Sequence, residues 1–195
     1  MSKKAKVLIV AGLLLICAAI GLAAFNLWSE SNAAKASDDV LSQMEGLLPA
    51  KSDAVPDYVL DPNMAMPTFS IDGADYIGIV QIPSLGLQLP VADNWSYVQL
   101  RTSPCRYSGS AYLDDLVICG HNYSSHFGNL KYLDAGEEVT FTDADGNVFI
   151  YEVCLVETMQ PTAVTEMTSG QWDLTLFTCT IGGQSRVTVR CNKTA

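Results

Sequence analysis

The chain has 195 residues, a formal net charge of −10 and 49% hydrophobic residues. That length holds one folded domain together with an anchor and a linker. The acidic balance excludes nucleic acid as a main partner, because phosphate binding needs clustered Lys and Arg.

At the N-terminus, Lys3, Lys4 and Lys6 precede an uncharged run from Val7 to Trp28. As a helix this run would span roughly 33 Å, about the thickness of a bilayer's hydrocarbon core. The expectation is a transmembrane signal-anchor helix over residues 7–28. The positive-inside rule then puts residues 1–6 in the cytoplasm and everything after Trp28 outside. A cleaved signal peptide is the competing reading. The run exceeds the usual apolar region of such a peptide and Trp28 suits a membrane interface, whereas Ala33 and Ala34 offer a small-residue cleavage site. Beyond Trp28, eight basic side chains face 21 acidic ones. This charge is spread along the chain, and solubility accounts for it.

Residues 29–70 are rich in Ser, Ala, Asp, Asn and Pro and read as an extracellular tether, with a short helix over Asp38–Leu48 that Ser37 could cap. From Tyr76 the pattern turns to period two. Tyr76–Ile82 reads as a strand, and Leu85, Leu87, Leu89 and Val91 form a half-buried second one after a Pro83–Ser84 turn. Leu116–Cys119 is a short apolar strand ending at Gly120-His121-Asn122, and Ser124 or Ser125 can cap a helix through Phe127, Leu130 and Leu133. Glu138–Thr142 and Val148–Val156 make a hairpin around Asp145-Gly146. Asp143 and Asp145 match only the start of a calcium loop, so a turn is the reading there. Leu174–Cys179 and Arg186–Cys191 are the last two strands. Many short strands with little helix mean an all-β sandwich or barrel.

Five cysteines, at 105, 119, 154, 179 and 191, lie outside the anchor, which holds Cys17. An odd set in an outward-facing domain leaves at least one thiol unpaired, and no spacing matches a zinc site. Cys119 reads as core; Cys154 and Cys191 read as core thiols or halves of a disulfide; Cys105 looks the most exposed. In the final hairpin a six-residue connection containing Gly182-Gly183 would place Cys179 directly opposite Arg186, with Cβ atoms about 4.5–5.5 Å apart. Arg190 lies on the same face but about 13 Å further along. Imidazole chemistry must come from His121 or His126. His121 closes a strand at a rim, while His126 is expected to be exposed near a helix start. Histidine with arginine would activate a thiol, although on the residues alone Cys179 as another buried small hydrophobe is the leading reading. Trp95 and Trp172 read as packing at strand ends.

Four strings carry a family resemblance. LTLFTCT at 174–180 resembles the T-L-x-T-C signature at the catalytic cysteine of sortases, and SRVTVR at 185–190 resembles their final strand with its leading arginine. LVICGHN at 116–122 is similar to the strand ending in their histidine, and YIGIVQIPSLGLQLPV to their opening hairpin. The matches run in family order. They imply a closed β-barrel of about eight strands with short helices over residues 71–195. They also imply Cys179 as nucleophile, His121 as general acid/base and Arg186 as oxyanion or positioning group, with Thr178 shaping the substrate groove. No cofactor or metal is implied. The implied partners are surface proteins bearing a C-terminal Leu-Pro-x-Thr-Gly-like sorting signal, and a peptidoglycan precursor or pilin lysine as amine acceptor. His126-Phe127-Gly128 resembles the class B enzymes, so a class B-like anchoring enzyme is the expectation. Asp61-Pro62-Asn63 lacks the aromatic residue of a pilus-type lid. A different cell-wall cysteine hydrolase and an idle adhesion or scaffold domain are the alternatives from other classes.

Overall fold

The computed structural model describes residues 2–49 and 54–194. Helix α1 (Lys3–Leu47) is continuous, about 68 Å long by helical rise. It is long and apolar enough to cross a membrane, and none of its most apolar window is buried against protein. Residues 29–47 were expected to be mostly unstructured tether. They are helical instead, because Ala33, Ser37, Val40 and Met44 form a buried stripe at helical spacing. Ser37 is inside this helix rather than at a cap. Packing supplied the order that composition did not advertise.

The strands are β1 (Phe69–Ile71), β2 (Ala74–Ile82), β3 (Leu87–Ala92), β4 (Cys105–Ser108), β5 (Leu116–Gly120), β6 (Glu138–Asp143), β7 (Val148–Met159), β8 (Leu174–Cys179) and β9 (Arg186–Lys193). Short helices α2 (Asp57–Leu60) and α3 (Val164–Met167) complete the fold. The sheet order β2-β3-β4-β5-β8-β9-β7-β6 closes through a β2–β6 pairing, so eight strands form a ring and β1 is added outside it. Closure removes open edges from the ring. The β5–β8 ladder and the single β3–β4 bridge are parallel, and the other pairings are antiparallel.

Strand β2 can close the ring because one of its edges changes partner. Residues 74–76 pair with β1, whereas residues 78–81 pair with β6. Gly78 sits at the change, where a Cβ would lie 2.1 Å from the Thr142 carbonyl oxygen. No larger residue fits without opening that seam.

Both faces of the β2 side of the barrel are buried. Ile77, Val80, Ile82, Leu116, Ile118, Phe141, Tyr151, Leu174, Leu176 and Val189 fill the interior. On the outside, Val40 and Met44 of α1 join Ile71, Tyr76, Ile79, Ala92, Cys105 and Cys119 in a second packed cluster. Cys105, expected to be exposed, is fully buried within that cluster, which its Pro-Cys-Arg setting did not reveal. The expected helix after Ser124 is replaced by turns and a single 3-10 turn at Leu130–Tyr132, which still bury Phe127, Leu130 and Leu133. The 138–159 hairpin and the last two strands form where the period-two pattern placed them.

Gly78→Ala is expected to destabilise the chain by about 3 kcal/mol or more, because backbone on both sides of the seam must separate. Thermal unfolding of the full chain in detergent micelles checks this; an unchanged midpoint contradicts the role of Gly78 in closure.

Candidate active site

Strands β8 and β9 pair in register from Leu174↔Cys191 to Cys179↔Arg186. The alternation along β8 is apolar-in and well buried until Thr178, and Cys179 is the first exposed residue. The thiol thus emerges at a strand end with Arg186 as its direct cross-strand neighbour, as the hairpin arithmetic required. The Arg186 guanidinium is oriented by its own connection: Nη1 donates to the carbonyl oxygens of Gly183 and Ser185, each at 3.1 Å. Its Nε and Nη2 have no partner among the described residues.

Strand β5 runs parallel to β8, and its last pair is Gly120↔Thr178. The next residues, His121 and Cys179, therefore leave the same end of two strands that lie about 4.8 Å apart. Thr178, expected to shape the groove, is buried, and its hydroxyl donates to the Gly120 carbonyl oxygen at 2.8 Å. That bond ties the two strand ends one residue before each functional side chain. Gly120 has its own constraint, since a Cβ there would lie 2.5 Å from the buried Phe127 ring.

The His121 ring is not hydrogen-bonded to Cys179. It stacks on Tyr123, with centroids 3.7 Å apart and planes 16° apart. Burial pushes its pKa below the ordinary value and the nearby Arg101 charge pushes it further, against a smaller opposing effect of Glu30. Both of these larger effects favour the neutral imidazole. Helix α1 reaches this loop directly. Ser29 Oγ and the Tyr123 hydroxyl are 2.9 Å apart, and Glu30 accepts the Ser124 N–H at 2.7 Å together with the Ser124 hydroxyl.

His126 is fully buried rather than exposed. It packs edge-on to Tyr123, and neither ring nitrogen meets a hydrogen-bond partner of normal geometry. Burial lowers its pKa to about 4, helped by His121. It is a packing residue under the His121 loop.

Three cavities surround the rim. One of about 180 Å³ lies between Cys179 and Arg186 and a mostly apolar wall that includes Trp95, Tyr97, Tyr107, Phe177, Val164 and Met167. Tyr107 meets Phe177 edge-on at 5.2 Å and Trp95 at 5.9 Å. Trp95 thus faces the candidate site, which its place in a loop of the sequence did not signal. The wall from α3 is held by Arg190, whose guanidinium donates to the Glu166 and Met167 carbonyl oxygens, to Thr175 Oγ1 and to Glu157. A second cavity runs from Cys179 past Asn122 to Lys131. A third is lined by His121, Asn122, Tyr123, Arg101 and the α1 residues Phe25, Asn26, Ser29 and Glu30. No group of three or more His, Cys, Asp or Glu suited to a metal occurs among the described residues. The Asp143 carboxylate instead accepts the Asp145 and Asn147 N–H groups, the Asn147 amide and the Tyr112 hydroxyl, making a closed turn.

A thiol exposed at the rim of a closed barrel, opposite a guanidinium and one strand from a histidine, has surroundings that favour a reactive thiolate. A family model described as the sortase domain matches residues 80–194, and the chain belongs to the sortase family of cysteine transpeptidases. No curated protein matches it. Among solved structures it is similar to a Clostridium perfringens sortase D5 transpeptidase, with TM-score 0.58 and 18% identity over 83% of this chain and 97% of that one. It is also similar to sortase A from Corynebacterium diphtheriae (TM-score 0.57, 19% identity, 85% and 84% covered). Sortase C1 from Streptococcus agalactiae gives 0.55, 23%, 74% and 79%. These neighbours carry three different class letters, and at such identities the likeness shows the barrel fold.

Two outcomes follow from this geometry. Replacing Thr178 by Val leaves the shape intact but deletes the bond to Gly120, which should cost about 1 kcal/mol and lower turnover by loosening the two strand ends that carry His121 and Cys179; equal stability and rate would remove Thr178 from that role. Between about pH 6.5 and 4 an unfolded chain binds a proton at His126 that the folded chain refuses. Stability should therefore fall as pH drops through that window, by up to about 3 kcal/mol. In His126→Leu this loss should be absent, as read from denaturation midpoints across pH.

Proposed function

We propose that the protein is a membrane-anchored sortase transpeptidase whose nucleophile is Cys179. The observation that carries the reading is the direct pairing of exposed Cys179 with Arg186 at the strand ends beside His121. The sorting signal's apolar residues occupy the aromatic-walled cavity between Cys179 and α3. The Cys179 sulfur attacks the scissile carbonyl of a Leu-Pro-x-Thr-Gly-like sequence as its thiol proton passes to His121. The unpartnered Nε and Nη2 of Arg186 donate to the oxygen on which negative charge develops. His121 protonates the departing amine, leaving a thioester on Cys179.

An amine of a peptidoglycan precursor then attacks the thioester, and His121 takes the amine's proton. The anchor reading assigns Val7–Trp28 to the bilayer, with the barrel outside the cell. It is supported by the apolar character of α1, the three lysines in its first turns and the position of Trp28. Substrate proteins and acceptor would both be met at the membrane surface.

The test uses the full chain in detergent micelles with a quenched Leu-Pro-x-Thr-Gly peptide, with and without an added amine. Cleavage and an amine-linked product are expected. Both should vanish in Cys179→Ala and fall by two orders of magnitude or more in His121→Ala and Arg186→Ala. Undiminished cleavage by Cys179→Ala would remove the nucleophile assignment.

A further inference from the structure

The cavity between α1 and the 121–123 loop has a composition unlike the other two. Its volume is about 440 Å³, within the range of small-molecule sites. It is lined by His121, whereas the apolar cavity and the Lys131 cavity hold Cys179 without His121. Asn122 borders both this cavity and the Lys131 cavity, so the two adjoin at that residue. Nδ1 of His121 is buried and lacks a hydrogen-bond partner.

The charges of this cavity are also unusual in so acidic a chain. Arg106, Arg190 and Lys193 are each held in an ion pair elsewhere in the fold. Lys131 lies over the Tyr132 ring, and Arg186 is turned onto its own connection. Arg101 is exposed and has no acidic partner among the described residues, yet it is close enough to His121 to depress the imidazole's pKa. It is presented by a braced turn, Gln99–Arg101. Ser96 Oγ accepts the Gln99 N–H there, and the Gln99 side chain bonds Tyr76 and Ser103. From the α1 wall, Glu30 adds a carboxylate, and Asn26 and Ser29 add neutral polar groups.

A site with one unpaired cation on the barrel wall, one carboxylate on the helix wall and a neutral imidazole between suits a ligand with charges of both signs. We infer that this cavity receives the acceptor, and that the acceptor is an amine bearing its own anionic group, which Arg101 binds while Glu30 attracts the ammonium. This rests on the proposed transpeptidase reading and names the second substrate of the same site. The ammonium first loses one proton to solvent. The free amine passes Asn122 and attacks the thioester carbonyl carbon. The C–N bond forms as the C–S bond breaks, the electron pair leaves on the Cys179 sulfur, and the second proton passes from nitrogen to His121.

The test compares matched amines in the transfer reaction of the full chain in detergent micelles. Nα-acetyl-lysine and Nα-acetyl-lysinamide share the reacting ε-amine and differ in a carboxylate; 2-aminoethyl phosphate and ethanolamine differ in a phosphate. The ratio of kcat/KM within each pair is the readout, so any change in His121 basicity cancels. The anionic member of one pair should be preferred by about tenfold, and the responding pair identifies the anion as carboxylate or phosphate. In Arg101→Gln this preference should fall close to one, and Arg101→Lys should recover most of it. A ratio near one for both pairs in the unsubstituted protein, or a preference that survives Arg101→Gln, overturns the inference while leaving transpeptidation intact. Absence of any Cys179-dependent cleavage overturns both.

Discussion

The parallel pairing of β5 with β8 is the constraint on which the rest of the site depends. His121 and Cys179 are far apart in the chain, and only the register that ends at Gly120↔Thr178 brings their backbones to one rim. A parallel pair cannot be joined by a tight turn, so the chain must travel through β6, β7 and α3 between them. That excursion supplies the pocket wall that Arg190 anchors from below. A slip of one residue in this ladder would send the side chains to opposite faces. The Thr178–Gly120 bond and the close packing of Gly120 on Phe127 act where such a slip would begin.

Much of the barrel was legible in the sequence because antiparallel hairpins advertise themselves locally. The period-two run through Leu87, Leu89 and Val91, the turn at Asp145-Gly146 and the opposition of Cys179 to Arg186 all follow from neighbouring residues. The β2–β6 closure and the β5–β8 pairing join distant segments. For these the family resemblance carried the information that spacing alone lacked.

What was missed shares one cause. Helix α1 beyond Trp28 is ordered by contact with the barrel, and its Ala, Ser and Asn content gives little intrinsic signal. Cys105 and His126 looked exposed because their local sequences resemble loops, yet Cys105 is buried in the cluster that α1 joins and His126 is enclosed beneath the His121 loop, edge-on to Tyr123. Trp95 and Arg101 belong to a loop without periodicity, and their place in the cavity walls is visible only once the chain has folded around them. A covering element that is far away in sequence leaves no periodic trace in the segment it covers.

The stiffness of α1 sets a geometric limit. A flexible leash would let the domain sample a hemisphere above its attachment point. Here about five helical turns past Trp28 lie along the barrel, and Ser29 and Glu30 grip the loop that carries His121. With the N-terminal part of the helix in lipid, as proposed, the domain would ride like a cap on a post, its rim kept at one height above the bilayer. Encounter with substrates held in the same membrane would then become a search in two dimensions.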